Sequence, residues 1–291
     1  MDEQINFKED AKNLNMMIII QMLLAEILSL IIGKIMLAMR FDQDFTTYFS
    51  LIVSSCAATY YIIKHYQKKF SLKINYKTDE NFDVLTYSKF VVMTLGATWL
   101  TSIVLSYIME LLSGVIIFET SEYLVKYDLI TNIVLCISTI IVAPITEELL
   151  FRGIILGKLK QYGNVFAIVV VSILFGLLHG NLPQTIPAFV TSLFLCQLTL
   201  KSNSIVPAIS IHMINNVVAH LEDINNGLFQ IFLNAIIIIV IITAIVLIVR
   251  EYRSGKKYKI EFKVTNYFKN WPGILILIFT IFSIIGSIQI I

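Results

Sequence analysis

Apolar residues run through this chain in long blocks, and the short stretches between the blocks hold most of the charge. A helix needs roughly 20 predominantly apolar residues to cross a bilayer. Nine blocks approach that length, at roughly 16–39, 47–64, 89–111, 129–150, 164–180, 184–200, 204–220, 228–249 and 271–291. The strict alternation of an outer-membrane barrel is absent. The pattern therefore predicts an all-α fold, a polytopic transmembrane helical bundle of about 8–9 spans. The fourth block should continue as a helix to about Lys160, because LLFRGIILGKLK keeps helical apolar spacing. The segment 112–128 is amphipathic and reads as lying in the membrane interface.

Composition agrees with this. Charged residues make up 14% of the chain and the mean hydropathy is +0.80, whereas a soluble domain carries roughly 25% charged residues. The placement of charge orients the bundle. With the N-terminus in the cytoplasm, 19 of the 22 Lys and Arg fall on the cytoplasmic side, and only Arg40 and Lys126 fall on the other. One missed or invented span would move the seven basic residues of 250–269 to the wrong side. This bias explains the basic loops at 64–77 and 250–263 without nucleic acid, and leaves them free to touch anionic lipid. Cys56, Cys136 and Cys196 are far apart in apolar blocks and form no paired motif. Met16–Met39 is long enough to remain as a spanning helix rather than a cleaved signal. The chain reads as one domain in three regions: 1–128 with three spans and the interfacial segment, a core at 129–220, and C-terminal helices at 221–291.

Three blocks carry polar residues where lipid-embedded helices should have none. Glu147, Glu148 and Arg152 lie in PITEELLFRG, His179 closes SILFGLLHG, and His212 and Asn216 lie in IVPAISIHMINNVVAH. Such groups cost several kcal/mol unless they pair or face a hydrated cavity, so they mark a candidate site. The turn at Gln161–Asn164 lies about 15 residues from both Glu147 and His179, so both stand roughly 22 Å up an antiparallel hairpin. His212 and Asn216, one turn apart, share a helix face. Pro144, Gly180, Pro183 and Pro187 interrupt helices beside these residues, and broken helices at membrane depth are tolerated where they line a cavity. Carboxylates beside one another and away from bulk water suit a base at neutral pH.

The order Glu147-Glu148-x-x-x-Arg152, Phe175-x-x-x-His179, His212-x-x-x-Asn216 resembles the CAAX-processing and bacteriocin-processing (CPBP or Abi) family of intramembrane proteases, over about residues 129–220. The resemblance implies that Glu147 is the base that activates water. It implies that His179 and His212 position that water or the oxyanion, or ligate a metal. Asn216 would hydrogen-bond the oxyanion, and Arg152 would pair with Glu148. Glu147, His179 and His212 match a zinc triad by type, but the zincin pattern His-Glu-x-x-His is absent. A glutamate-type and a Zn2+-type hydrolase both stay open.

The reading that follows is an intramembrane endopeptidase of a bacterial plasma membrane. Its site would open toward the cytoplasm, and its partners would be membrane lipids and a peptide or membrane-protein substrate, with no nucleic acid. The Ile-, Asn- and Lys-rich composition suggests an AT-rich bacterial genome, which favours a bacteriocin, a pheromone or self-immunity over prenylated substrates. A non-catalytic immunity or scaffold protein with the same fold is the alternative. The remaining polar residues read as structural: His65 as a solvated loop residue, His220 as interfacial, and Glu26 with Lys34 as a pair or snorkelling residues on one face. The topology has a direct check. With single cysteines at Tyr162 or Asn226 in a background lacking Cys56, Cys136 and Cys196, an impermeant thiol reagent on intact cells should label Asn226→Cys and spare Tyr162→Cys. The reverse would invert the orientation.

Overall fold

The computed structural model describes residues 2–114, 116–118, 128–224, 226–253 and 263–290. Among the described residues ten helices are formed: α1 (Asp2–Ala38), α2 (Gln43–Phe70), α3 (Val84–Leu112), α4 (Leu129–Tyr162), α5 (Asn164–Leu177), α6 (Leu182–Ser202), α7 (Val206–Glu222), α8 (Gly227–Arg253), the short α9 (Thr265–Phe268) and α10 (Trp271–Gly286). Their starts are written in the sequence. Asp42, Asp83, Asp128, Asn181 and Asn270 each accept a hydrogen bond from a first-turn N–H, and Pro183, Pro207 and Pro272 occupy first-turn positions, where a missing N–H costs nothing.

Each of the nine expected spans contains a helix, although the ninth is helical only to Gly286. Five of them, in α1, α2, α3, α4 and α8, are long and apolar enough to cross a membrane, with 27 to 34 residues each. The chain is accordingly an integral membrane protein. The expectation of nine full-length spans is not met by length and composition alone. Asn164–Leu177 and Trp271–Gly286 are apolar but short, and α6 and α7 are diluted by Pro, Asn, Gln and His. Beside the candidate site, α6 and α7 give up hydropathy to polar side chains, and α5 is cut short before Gly180.

Three further details differ from expectation. α2 runs to Phe70, so His65 is an exposed helix residue, stacked on Tyr61, and not a loop residue. α10 stops at Gly286, and Ile288–Ile290 pairs antiparallel with Ile116–Phe118 as a two-stranded ribbon. That ribbon is the departure from all-α architecture among the described residues, and it holds part of the stretch expected to lie in the interface. Most of 115–127 falls outside the described residues.

Packing divides into two apolar cores. One joins the N-terminal half of α1 and α2 to α4 and α5, through Leu14, Ile18, Ile62, Ile154, Phe166 and Val170. The other joins α3, α6, α7 and α8, through Trp99, Leu195, Ile211 and Ile237. The first is pinned at one end. Asp10 of α1 accepts from Tyr162 Oη at 2.6 Å and from Gln161 Nε2 at 3.1 Å, and pairs with Lys158 at 2.9 Å. The outer faces of α1, α8 and α10 expose Leu23, Ile27, Ile239, Ile242 and Phe282, as lipid-facing surfaces require.

The hairpin of α4 and α5 turns at Gly163, whose φ of 109° excludes an L side chain. Across the next break, α5 and α6 come together at Gly176. A Cβ there would stand 2.7 Å from the Thr185 carbonyl oxygen and 3.0 Å from Phe189 Cβ. Backbone cannot yield cheaply, so Gly176→Ala should destabilise the purified protein by about 1–3 kcal/mol. Gly227→Ala, where nothing lies within 4 Å, should leave the melting temperature unchanged. Thermal unfolding in detergent reads both.

Candidate active site

The site is built where α4 changes its winding. Wider π-type turns at Ile137–Val142 and Leu149–Leu156 flank a short α segment, Ala143–Glu148. Pro144 lacks the N–H that a regular ladder would use, and the Thr146 hydroxyl bonds the carbonyls of Val142 and Ala143 at 2.9 and 3.0 Å. Insertions of this kind recur at functional sites. Here they flank Glu147 and Glu148 and carry Arg152.

Glu148 is fully buried, and its Oε1 is the junction of the site. It accepts from Arg152 Nη1 at 2.8 Å, one turn along α4, and from His212 Nδ1 of α7 at 2.9 Å. A carboxylate oxygen only accepts, so His212 carries its proton on Nδ1 and turns Nε2 away from Glu148. That Nε2 lies 3.9 Å from Glu147 Oε2, too far for a direct hydrogen bond and suited to a shared water. Glu147 Oε2 is itself buried without a hydrogen bond, although a third of its side chain is exposed.

Phe175 of α5 ties the remaining parts together. The Arg152 guanidinium stands 4.6 Å over its ring, and the rings of His179 and His212 meet it edge-on at 4.9 and 5.7 Å. His179 follows the last turn of α5, and its Nδ1 donates to the Phe175 carbonyl at 2.7 Å, which leaves Nε2 uncommitted. Asn216 Nδ2 donates to the Thr139 carbonyl at 2.8 Å. All six residues picked out in the sequence therefore gather around α4, α5 and α7. Glu148 binds His212 as well as Arg152, a link that no local spacing announces.

Two residues were missed. Thr139 lies in the first π-type turn, and its Oγ1 meets His220 Nε2 at 2.6 Å. His220 is buried within the protein. Its signal in the sequence was the four-residue step from His212 to Asn216 to His220, which places all three on one face of α7.

The donor types of Glu147, His179 and His212 suit zinc, and the Nδ1 bond of His179 is the outer contact that metal-binding imidazoles make. As they stand, however, no three His, Cys, Asp or Glu side chains among the described residues gather closely enough to hold an ion.

Removing Arg152 would leave Glu148 buried with only the His212 imidazole as a partner. Breaking a buried pair costs about 3–5 kcal/mol, so Arg152→Ala should lower the amount of folded protein recovered from membranes severalfold. Arg152→Lys should recover less than the wild type and more than Arg152→Ala, because it keeps the charge but not the planar contact with Phe175. Size-exclusion chromatography in detergent measures both.

No curated protein and no solved structure matches the chain. Residues 129–218 match the model of a family described as Rce1-like, type II CAAX prenyl endopeptidase. The segment that carries all six site residues is the part of this chain that matches the CAAX-processing protease family.

Proposed function

We propose that the protein is an intramembrane endopeptidase that cleaves a peptide bond with a water activated by Glu147. The observation that carries this is the buried, unbonded Oε2 of Glu147, 3.9 Å from the Nε2 of a histidine whose other nitrogen is held by Glu148. A base, an imidazole and an orienting carboxylate form a graded series of roles. Water between Glu147 and His212 gives its proton to Glu147 and attacks the scissile carbonyl carbon. The tetrahedral oxyanion is stabilised by N–H donors. The second amide N–H of Asn216 supplies one, and His179, whose Nδ1 donates to the Phe175 carbonyl, positions the water through Nε2. As the C–N bond breaks, Glu147 returns its proton to the leaving amine. Arg152 donates to the Glu148 oxygen that also accepts from His212 Nδ1, which fixes the orientation of the imidazole.

The match over 129–218 supports a CAAX-type intramembrane protease. The substrate we favour is a bacteriocin leader, a pheromone precursor or a similar peptide, with the protein in a bacterial plasma membrane. Nineteen of 22 basic residues lie on one side of the expected topology, which favours a cytoplasmic N-terminus, 8–9 crossings and substrate access from the cytoplasm or the inner leaflet.

Cleavage of a quenched peptide by purified protein in detergent tests the proposal. Glu147→Gln keeps size and polarity but cannot take the proton, so kcat should fall by at least ~10² with the melting temperature unchanged. Wild-type turnover in that variant would end the role of Glu147. Loss of cleavage together with full protection of cells against a bacteriocin would favour a binding or immunity protein with this fold.

His212→Gln tests the second member. It leaves Glu148 paired with Arg152, so the fold should survive while kcat falls by about 10²–10⁴ and KM stays within a few-fold. A matching loss in KM with kcat intact would make His212 a binding residue.

A further inference from the structure

The first π-type turn of α4 and the proline that follows it act on one carbonyl. In a π register each carbonyl accepts from the N–H five residues ahead. At the end of this turn the Ala143 N–H bonds the Ser138 carbonyl, five residues back. The next N–H in that register would reach the Thr139 carbonyl. It belongs to position 144, and proline has no N–H. In an ordinary α ladder the same proline would free the Ile140 carbonyl instead. The wider turn thus moves the free carbonyl back by one residue, about 100° around the helix.

The carbonyl so freed is the one that α7 takes. Asn216 Nδ2 donates to it at 2.8 Å, and the Thr139 hydroxyl meets His220 Nε2 at 2.6 Å. Asn216 and His220 are one turn apart on α7, so two successive turns of that helix hold the same residue. A carbonyl oxygen only accepts, so the contact decides which end of the Asn216 amide is the nitrogen. It uses one of the two amide hydrogens and fixes the plane that carries the other. Asn215 Nδ2 lies 3.5 Å from the Asn216 Oδ1, on the opposite end of the amide. Pro144 is itself buried, in the interior of a long helix, where proline is ordinarily the worst residue for stability.

We propose that Pro144 is a positioning residue for Asn216. By withholding an N–H it keeps the Thr139 carbonyl open to Asn216, and this aims the second amide N–H of Asn216 at the oxyanion. The consequence for catalysis rests on the endopeptidase reading. The claim about the carbonyl is one of geometry and has a test of its own.

Pro144→Ala supplies the missing N–H. If the π-type turn persists, the new N–H reaches the Thr139 carbonyl. If the turn closes to a regular α register, Ala143 donates to it instead. Either way Asn216 gains a competitor. Thermal unfolding of the purified protein in detergent reads the geometry. In the wild-type background Asn216→Ala orphans the carbonyl and should lower the melting temperature by about 2 °C or more. In the Pro144→Ala background the same change should cost less than half as much. Equal losses in the two backgrounds would overturn the proposal.

Cleavage of the quenched peptide reads the consequence. Pro144→Ala alone should lower kcat about tenfold or more, with KM within a few-fold and a melting temperature no lower than the wild type. The double variant should be no slower than Asn216→Ala alone. A proline that served only the fold would lose stability on replacement and keep its kcat. Wild-type kcat in Pro144→Ala, or losses that multiply in the double variant, would overturn the positioning role. If Glu147→Gln cleaves as the wild type does, the endopeptidase reading falls instead, and the melting comparison still decides whether Pro144 reserves the carbonyl.

Discussion

The structure depends on how one buried carboxylate is neutralised. Glu148 has no access to solvent and sits within otherwise apolar helices. An isolated charge there would cost many kcal/mol. Arg152 supplies the counter-charge from the same helix, and His212 supplies the second donor from α7. Because both bonds end on one oxygen, α4 and α7 have a single register in which the charge is satisfied. An apolar interface between the same helices could slide by a turn at little cost. This one cannot without orphaning the carboxylate.

Phe175 extends that constraint to α5. Its ring lies under the guanidinium and against both imidazoles. The aromatic side chain thus does for charge what a hydroxyl could not, since it screens the ion pair while remaining apolar toward the core. Gly176, next in sequence, lets α6 approach backbone to backbone. The motif Phe175-x-x-x-His179 therefore encodes a packing surface on one side and a site residue on the other. The irregular turns of α4 belong to the same economy. Thr139 sits in the first of them and bonds Asn216 and His220, so the face of α7 that begins at His212 is anchored over three successive turns.

Arg152 is stretched between two environments. One nitrogen bonds Glu148, while the guanidinium plane lies over the Phe175 ring at 4.6 Å. This explains why a guanidinium rather than an ammonium stands at this position. A planar fork can bond in two directions at once, whereas a lysine would serve one.

The sequence by itself determined the membrane class, the places where helices begin and the six polar residues that meet. Each of these rests on a local rule: apolar run length, Asp, Asn or Pro at a first turn, and the cost of a charge inside an apolar block. The constant helical rise predicted that Glu147 and His179 stand level on one hairpin. What sequence could not decide was which carboxylate does which task. Glu147 and Glu148 are adjacent and chemically identical, and only the packing of α7 assigns His212 Nδ1 to Glu148 and leaves Oε2 of Glu147 free. The tertiary structure alone also decided the π-type turns, the burial of His220, the closing ribbon at Ile288–Ile290 and the shortness of α5 and α10. All of these are set by contacts between segments distant in the chain, which composition and period do not record.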